Sequence, residues 1–540
     1  MSSLSVTASG AAADAVTRHV PTLVQDAVAS RLFSKDATLW GPEAEPEASI
    51  RLSWVGLARS SRPLVGEIEA LRDEFAHRGV DHVVLCGMGG SSLAPEVICA
   101  TAGKDLVVLD SSDPDVVRRA LSEHLERTVV VVSSKSGSTV ETDSQRRAYE
   151  QAFRDAGIDP AERIVVVTDP GSPLDGEARG AGYRVVNADP EVGGRYSALT
   201  AFGLVPSGLA GVDVSALLDD AEAVSDLLAE DDEANPALRL GAALGGTDPL
   251  RNKLVLVDDG SGIVGFADWA EQLIAESTGK DGTGILPVVV EDDDAPELVT
   301  GAPDVLVTRL VGADDESRPS GDTVRVGGAV GAQLLLWEAA TAVAGRLLHI
   351  NPFDQPDVES AKKAARGLLE SGAREAAPAA YVDGAVEVRA LGGDWLGSAS
   401  SVAEAVEALL AQLGPTGYVA VMAYLDRLAD ADLAAARPAL ARRTGRPVTF
   451  GWGPRFLHST GQFHKGGPAE GVYVQITTAP REDLAVPGRD FTFGQFIAAQ
   501  AGGDAQVLAE QGRPVLRLHL TDHDAGLAQL RKVLTAGATE

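Results

Sequence analysis

The apolar residues of this chain fall into short, nearly continuous runs that alternate with helical patterns. "DHVVLCGM" (81–88), "DLVVLD" (105–110), "TVVVVSS" (128–134), "RIVVVTD" (163–169) and "YRVVNAD" (183–189) are the runs, and "PDVVRRALSEHL" is typical of what lies between them. Strands buried on both faces and alternating with helices predict a parallel, doubly wound sheet. A second series begins near 250 with "KLVLVDD", a helix over 262–278, "GILPVVVE", "DVLVTRLV" and helices over 328–345 and 356–371. An Ala/Pro/Gly-rich stretch, 370–384, reads as a linker, and further strands are expected near 418–424, 447–451, 471–477 and 514–520. The expected fold class is α/β, with two doubly wound parallel-sheet domains plus a C-terminal α/β segment. The divisions are an N-terminal helical arm over 1–55 with an amphipathic helix near 13–33, then 56–212, 213–375 and 376–540.

Composition narrows the function by exclusion. Acidic residues outnumber basic ones 78 to 46 among 540 residues, a net charge of −32, which argues against nucleic acid and anionic membranes as partners. No apolar run reaches the ~20 residues of a membrane helix. The N-terminus lacks the basic start and apolar core of a secretory signal. The two cysteines, Cys86 and Cys99, make neither a disulfide framework nor a metal cluster. A cytoplasmic protein without metal or organic cofactor is expected.

Two loops carry candidate chemistry. "GMGGSSLAP" (87–95) follows the first strand, and "SSKSGSTVET" (133–142) follows the third. Ligands of a doubly wound sheet bind beyond the carboxyl ends of its strands, against helix N-termini whose free N–H groups attract anions. The first loop departs from the dinucleotide fingerprint, because Ser92 stands where the third glycine belongs. Hydroxyls from both loops, with the charge of Lys135, suit a phosphate monoester.

These two motifs, then "GGRYSALTAFGL" (193–204), "ESTGK" (276–280) and "NPFDQPDVESAK" (351–362), occur in that order. Over 80–375 the chain resembles a glucose-6-phosphate isomerase built from two sugar-isomerase (SIS) domains. The segment "GPRFLHSTGQFHKGGP" (453–468) resembles the isomerase half of bifunctional transaldolase/glucose-6-phosphate isomerases. The resemblance implies that Gly90, Ser91, Ser134, Ser136, Thr139 and Thr142 hold a sugar phosphate, with Lys135 alongside and Gln355 contacting substrate. It implies Arg195 at the sugar's reactive end and reversible interconversion of glucose 6-phosphate and fructose 6-phosphate through a cis-enediol. A non-catalytic sugar-phosphate sensor and an isomerase that also takes mannose 6-phosphate are the alternatives.

That chemistry needs a base that takes and returns a proton, and a positive group near the developing oxyanion. Phe266, Trp269, Leu273 and Glu276 fall on one helical stripe, which puts the Glu276 carboxylate on a buried face. The resemblance makes Glu276 the catalytic base. Lys362 shares a stripe with Val358, Ala365 and Leu369, and the resemblance gives it a role in stabilising charge near C1. Ring opening needs acid–base help at the ring oxygen and O1, for which the family uses a histidine carried between its glutamate and lysine motifs. Here 281–350 contains only His349, so His458 is favoured, with His464 close behind. The sequence leaves open whether that histidine comes from the same chain or a partner's in a homodimer.

Overall fold

The structure, a computed structural model, describes residues 4–370 and 378–536, apart from the side chains of 357–362 and 370. The chain opens on strand β1 (Ser5–Ala8), followed by helices Gly10–Gln25 and Val28–Phe33. The single helix expected near 13–33 is interrupted at Ala27, which takes a left-handed conformation (φ 54°).

The first sheet contains β2 (His82–Gly87), β3 (Val107–Leu109), β4 (Thr128–Ser133), β5 (Ile164–Thr168) and β6 (Arg184–Asn187). Its order is β3-β2-β4-β5-β6 and every pairing is parallel. The valine runs form these strands because both faces are covered. Val83, Leu85, Val129 and Val131 join one core cluster, and Val84, Cys86, Val130 and Val132 join another. Helix Leu93–Thr101, after β2, packs into the first cluster, while helix Val140–Asp155, after β4, packs into the second. The connections leaving β2 and β4 therefore go to opposite faces, and a crevice opens between the carboxyl ends of these two neighbours.

The second sheet contains β7 (Lys253–Asp259), β8 (Leu286–Val289), β9 (Val305–Val311) and β10 (Thr323–Gly327), in the order β1-β10-β9-β7-β8. All its pairings are parallel except that of β1 with β10. The start of the chain, expected as a helical arm, thus supplies an edge strand to a sheet whose other strands lie far along the sequence. One face of this sheet shares the large core cluster with the first sheet, through Leu254, Leu256, Leu306 and Val324.

The other face is covered by the C-terminal segment, which contains β11 (Tyr381–Asp383), β12 (Val386–Leu391), β13 (Tyr418–Tyr424), β14 (Val448–Trp452), β15 (Gly471–Thr478) and β16 (Val515–Leu520). The order is β11-β12-β16-β15-β13-β14, parallel from β16 to β14 and antiparallel at the β11 and β12 edge. Alternate residues Tyr418, Ala420, Met422 and Tyr424 of β13 join Val255, Val257, Leu286 and Val288 in one apolar cluster. Ion pairs flank it, among them Arg446 with Asp304 (2.5 Å) and Arg455 with Asp110 (2.5 Å). These pairs are largely buried, so the desolvation of both charges offsets much of their attraction, whereas each large apolar side chain fully buried contributes roughly 1.5–3 kcal/mol. The apolar face therefore carries the docking. The α/β class expected from the sequence holds throughout. Among the described residues no helix is long and apolar enough to cross a membrane.

Candidate active site

A cavity of about 500 Å³ lies over the carboxyl ends of β2 and β4, within the usual size range of small-molecule sites. Gly90, Ser91, Ser134, Lys135, Ser136, Thr139, Arg195, Glu276, Gln355 and His458 all line it. Motifs scattered from the first sheet to the C-terminal segment are thus brought to one wall.

The two loops take different shapes. After β2 the chain makes a single tight turn, Gly89–Ser91, before helix Leu93–Thr101. Ser91 faces the cavity, while Ser92 is buried and its hydroxyl donates to the Gly89 carbonyl at 3.1 Å. The turn is glycine because it is pressed from outside. A Cβ on Gly90 would stand 2.0 Å from the Gly194 carbonyl oxygen, and one on Gly89 would stand 2.7 Å from Gln272 Nε2 and 3.0 Å from His458 Cβ. Gly90→Ala is therefore expected to push the loop carrying Arg195 away, lowering kcat/KM on the order of 10²-fold. Steady-state kinetics beside a thermal melt will check this, and a folded variant with wild-type kcat/KM would contradict it.

The loop after β4 organises itself through its own hydroxyls. Ser134 Oγ donates to Thr139 Oγ1 at 3.3 Å and accepts from the Gly137 N–H at 3.2 Å, and Ser136 and Ser138 share a hydrogen bond of 2.6 Å. Thr139 stands at the N-cap of the 16-residue helix Val140–Asp155 without capping it, so the first N–H groups remain open to a ligand. Lys135 Nζ donates to Asp169 Oδ2 (2.6 Å) and the Pro190 carbonyl (3.1 Å). Burial raises the Asp169 carboxyl, with Lys135 opposing. Thr142 does not join this group. It is buried one turn into the helix, its hydroxyl has no partner among the described residues, and it is not part of the cavity wall.

Glu276 ends the stripe expected for it on helix Phe266–Thr278 and is 6% exposed. Gln272, one turn earlier, donates from Nε2 to Glu276 Oε2 at 3.0 Å, and Oε1 lies 3.7 Å from Arg195 Nη1. Arg195 is itself held by the protein. Nε donates to Ser277 Oγ (2.8 Å), Nη1 to Gln355 Oε1 (2.7 Å), and Nη2 to the carbonyls of Pro352 (2.8 Å) and Asp354 (2.9 Å). Lys280 grips the same loop through the Asn351 and Asp354 carbonyls and Asp354 Oδ1. Burial, with the Arg195 charge beside it, pushes the Lys280 ammonium down to about 8. The "ESTGK" and "GGRYS" motifs thus position the "NPFDQP" loop, which is why Gln355 reaches the cavity. Ala365 and Leu369, of the stripe assigned to Lys362, line the cavity. The Lys362 side chain itself lies outside the described residues.

The two candidate histidines separate. His458 lines the cavity from the 3-10 turn Arg455–His458, and its Nε2 lies 3.3 Å from Glu141 Oε1. Glu141 also accepts from Gln500 Nε2 at 2.7 Å. In the tautomer whose Nε2–H donates to that carboxylate, Nδ1 is the nitrogen left to exchange a proton. His464 is elsewhere, stacked on Tyr418, its Nδ1 2.9 Å from the Tyr418 hydroxyl. Burial, with Lys465 nearby, holds His464 well below the usual range, so the ring is neutral. His349 is not in the cavity wall either.

Sequence reading passed over Glu141, Gln272, Gln500 and Lys465, all of which line the cavity. Gln272 had a signal, since it lies four residues before Glu276 on a helix and so faces the same way. Glu141 and Gln500 had none, being 359 positions apart. Among the described residues no group of three or more His, Cys, Asp or Glu side chains is placed to hold a metal ion.

Comparison with known proteins gives this geometry a context. The phosphoglucose isomerase family profile matches residues 68–244, which include both glycine- and hydroxyl-rich loops and Arg195. A probable glucose-6-phosphate isomerase of Natronomonas pharaonis is 32% identical over 383 residues, covering 62% of this chain and 89% of that protein. One of Haloarcula marismortui is 30% identical over 365 residues, covering 57% of this chain and 84% of that protein. The crystal structure of a hypothetical protein from Thermus thermophilus superposes with a TM-score of 0.58 at 26% identity, over 68% of this chain and 99% of that one. Sequence similarity across nearly the whole of such relatives, with the motifs gathered around one cavity, places this chain in the glucose-6-phosphate isomerase family.

Proposed function

We propose that this protein interconverts glucose 6-phosphate and fructose 6-phosphate by proton transfer through a cis-enediol. The observation that carries the reading is the buried Glu276 carboxylate. It is fixed by Gln272, faced by Arg195, and set in the same cavity as the hydroxyl-rich loop at the N-terminus of helix Val140–Asp155. In this reading the phosphate lies against Ser134, Ser136, Thr139, Gly90 and Ser91. The loop hydroxyls and open helix N–H groups meet oxygens that point in several directions. The sugar carbons then reach toward Glu276, which moves a proton between C2 and C1. Arg195 supplies positive charge where the oxyanion develops. His458, aimed by Glu141, exchanges a proton with the ring oxygen to open the pyranose. By the resemblance, Lys362 would stabilise charge near C1.

Glu276, Arg195 and His458 belong to one chain, so these groups act together without a second copy. Sedimentation of the purified protein will report whether it is a homodimer. We place the enzyme in the cytoplasm, since its two cysteines are free and buried and need no oxidising compartment.

A coupled assay with fructose 6-phosphate tests the reading. Glucose 6-phosphate should form at enzymatic rates, and saturable binding without turnover would instead support the sensor. A proton shuttle between carbons requires no Lewis acid, so activity is expected to survive exhaustive EDTA treatment. Loss of activity restored by a divalent ion would contradict that.

A further inference from the structure

Among the described residues three lysines are almost completely buried: Lys253, Lys280 and Lys465. An ammonium group has three N–H donors and no acceptor, so each should find three acceptors. Lys253 meets Asn252 Oδ1 (2.9 Å), Asp304 Oδ2 (3.3 Å) and Glu470 Oε2. Lys280 meets two carbonyls and Asp354 Oδ1, all within 2.7 Å. Neither lines the cavity. Lys465 differs on both counts. Among the described residues its Nζ meets Asp504 Oδ1 at 2.5 Å and the Gly461 carbonyl at 3.3 Å, and it forms part of the cavity wall.

We infer that Lys465 is a further catalytic residue, whose third N–H donates to the enediolate oxygen of the bound sugar while Asp504 aims it. This rests on the isomerase reading above. When Glu276 takes the proton from C2, the C–H electron pair becomes the C1–C2 double bond and the carbonyl pair moves onto oxygen. Lys465 keeps its proton throughout and stabilises the charge on that oxygen. Arg195 leaves room for such a donor, because four protein acceptors already engage its guanidinium. An oxyanion needs a preorganised donor, in addition to a charge at longer range.

The surroundings hold Lys465 in one place. Arg513 Nη2 donates to the carbonyls of Lys465 (2.7 Å) and Gly467 (2.9 Å), fixing the backbone on the far side. Asp504 is 1% exposed and sits on helix Phe493–Glu510, which also carries Gln500 into the cavity. Burial, with the Asp504 charge beside it, holds the Tyr424 phenol protonated. A buried ion pair is weak evidence of a stabilising role, since the desolvation of both charges offsets their attraction. Its place at a ligand cavity, with a donor left over, is what the site reading accounts for.

The test removes the pair together, so that no lone charge is left buried. Lys465→Met with Asp504→Asn is expected to melt like the wild type. Its kcat should fall on the order of 10²-fold or more, as for loss of one oxyanion donor. Affinity for 5-phosphoarabinonate, an enediolate mimic, should fall at least about tenfold while the KM for fructose 6-phosphate changes little, the signature of binding made in the transition state. Lys465→Arg is the second variant. It keeps the ion pair, but its planar fork cannot return the donor to the same point, so kcat should drop at least about tenfold. A double variant with wild-type kcat, equal loss of affinity for mimic and substrate, or a fully active Lys465→Arg would each overturn the inference. A wild-type protein without isomerase activity would sink the isomerase reading itself, and this inference with it.

Discussion

Glu276→Gln will lower kcat by about 10²–10⁴-fold or more while leaving sugar-phosphate binding nearly intact. Glutamine has the size of glutamate and retains an oxygen for the Gln272 Nε2–H, which now donates to Glu276 Oε2 at 3.0 Å. The hydroxyl-rich loop is on another strand's carboxyl end and does not depend on that carboxylate. Proton transfer is lost and binding is kept. Turnover measured with fructose 6-phosphate, and calorimetric binding of 5-phosphoarabinonate, separate the two. A variant that retains more than about a tenth of wild-type kcat would place the base on another residue.

His458→Ala will damage the two halves of the reaction unequally. Glucose 6-phosphate is almost entirely cyclic, so its turnover should fall by about 10²–10⁴-fold, the usual contribution of a positioned acid–base group. Enediol formation from open-chain sugar should fall far less, and 5-phosphoarabinonate should still bind. Glu141→Gln should reproduce part of the loss, because the Glu141 carboxylate orients the His458 ring. Equal damage to cyclic and acyclic reactions would remove His458 from ring opening.

What could be read in the sequence followed from local physics. β2, β4 and β5 announce themselves as valine runs because both their faces are buried. β1 and β10 do not. "SVTA" is four residues long, and "TVRVG" is interrupted by an arginine that faces the acidic Asp259 and Asp315 rather than a core. β11 and β12 lie partly in or beside a stretch whose alanines, proline and glycines read as a linker, and only Val386 and Val388 show their inward face. The site followed the same division. Glu276 was legible because its helix carries one apolar stripe up to it. Thr142 could not be told from its neighbours in the sequence, because it differs only in lying one turn into helix Val140–Asp155, where it is buried and outside the cavity wall. The distinction between His458 and His464 was not legible, because it depends on Tyr418 and Tyr473 of β13 and β15 stacking around one ring and Glu141 meeting the other. Lys465 was passed over because its partner, Asp504, comes from a separate helix beyond the next sheet strand.

If Glu276 moves a proton between the two sugar carbons in this cavity, that proton passes through an exchangeable carboxyl, and isotope exchange reads the passage. Purified protein is incubated with fructose 6-phosphate in deuterium oxide for many turnovers, and the sugar pool is followed by proton NMR. Solvent deuterium should enter at C1 of fructose 6-phosphate and C2 of glucose 6-phosphate, and Glu276→Gln should abolish both the exchange and the interconversion. Full equilibration of the two sugars with no deuterium at either carbon would contradict it, since hydrogen would then have moved without passing through an exchangeable base.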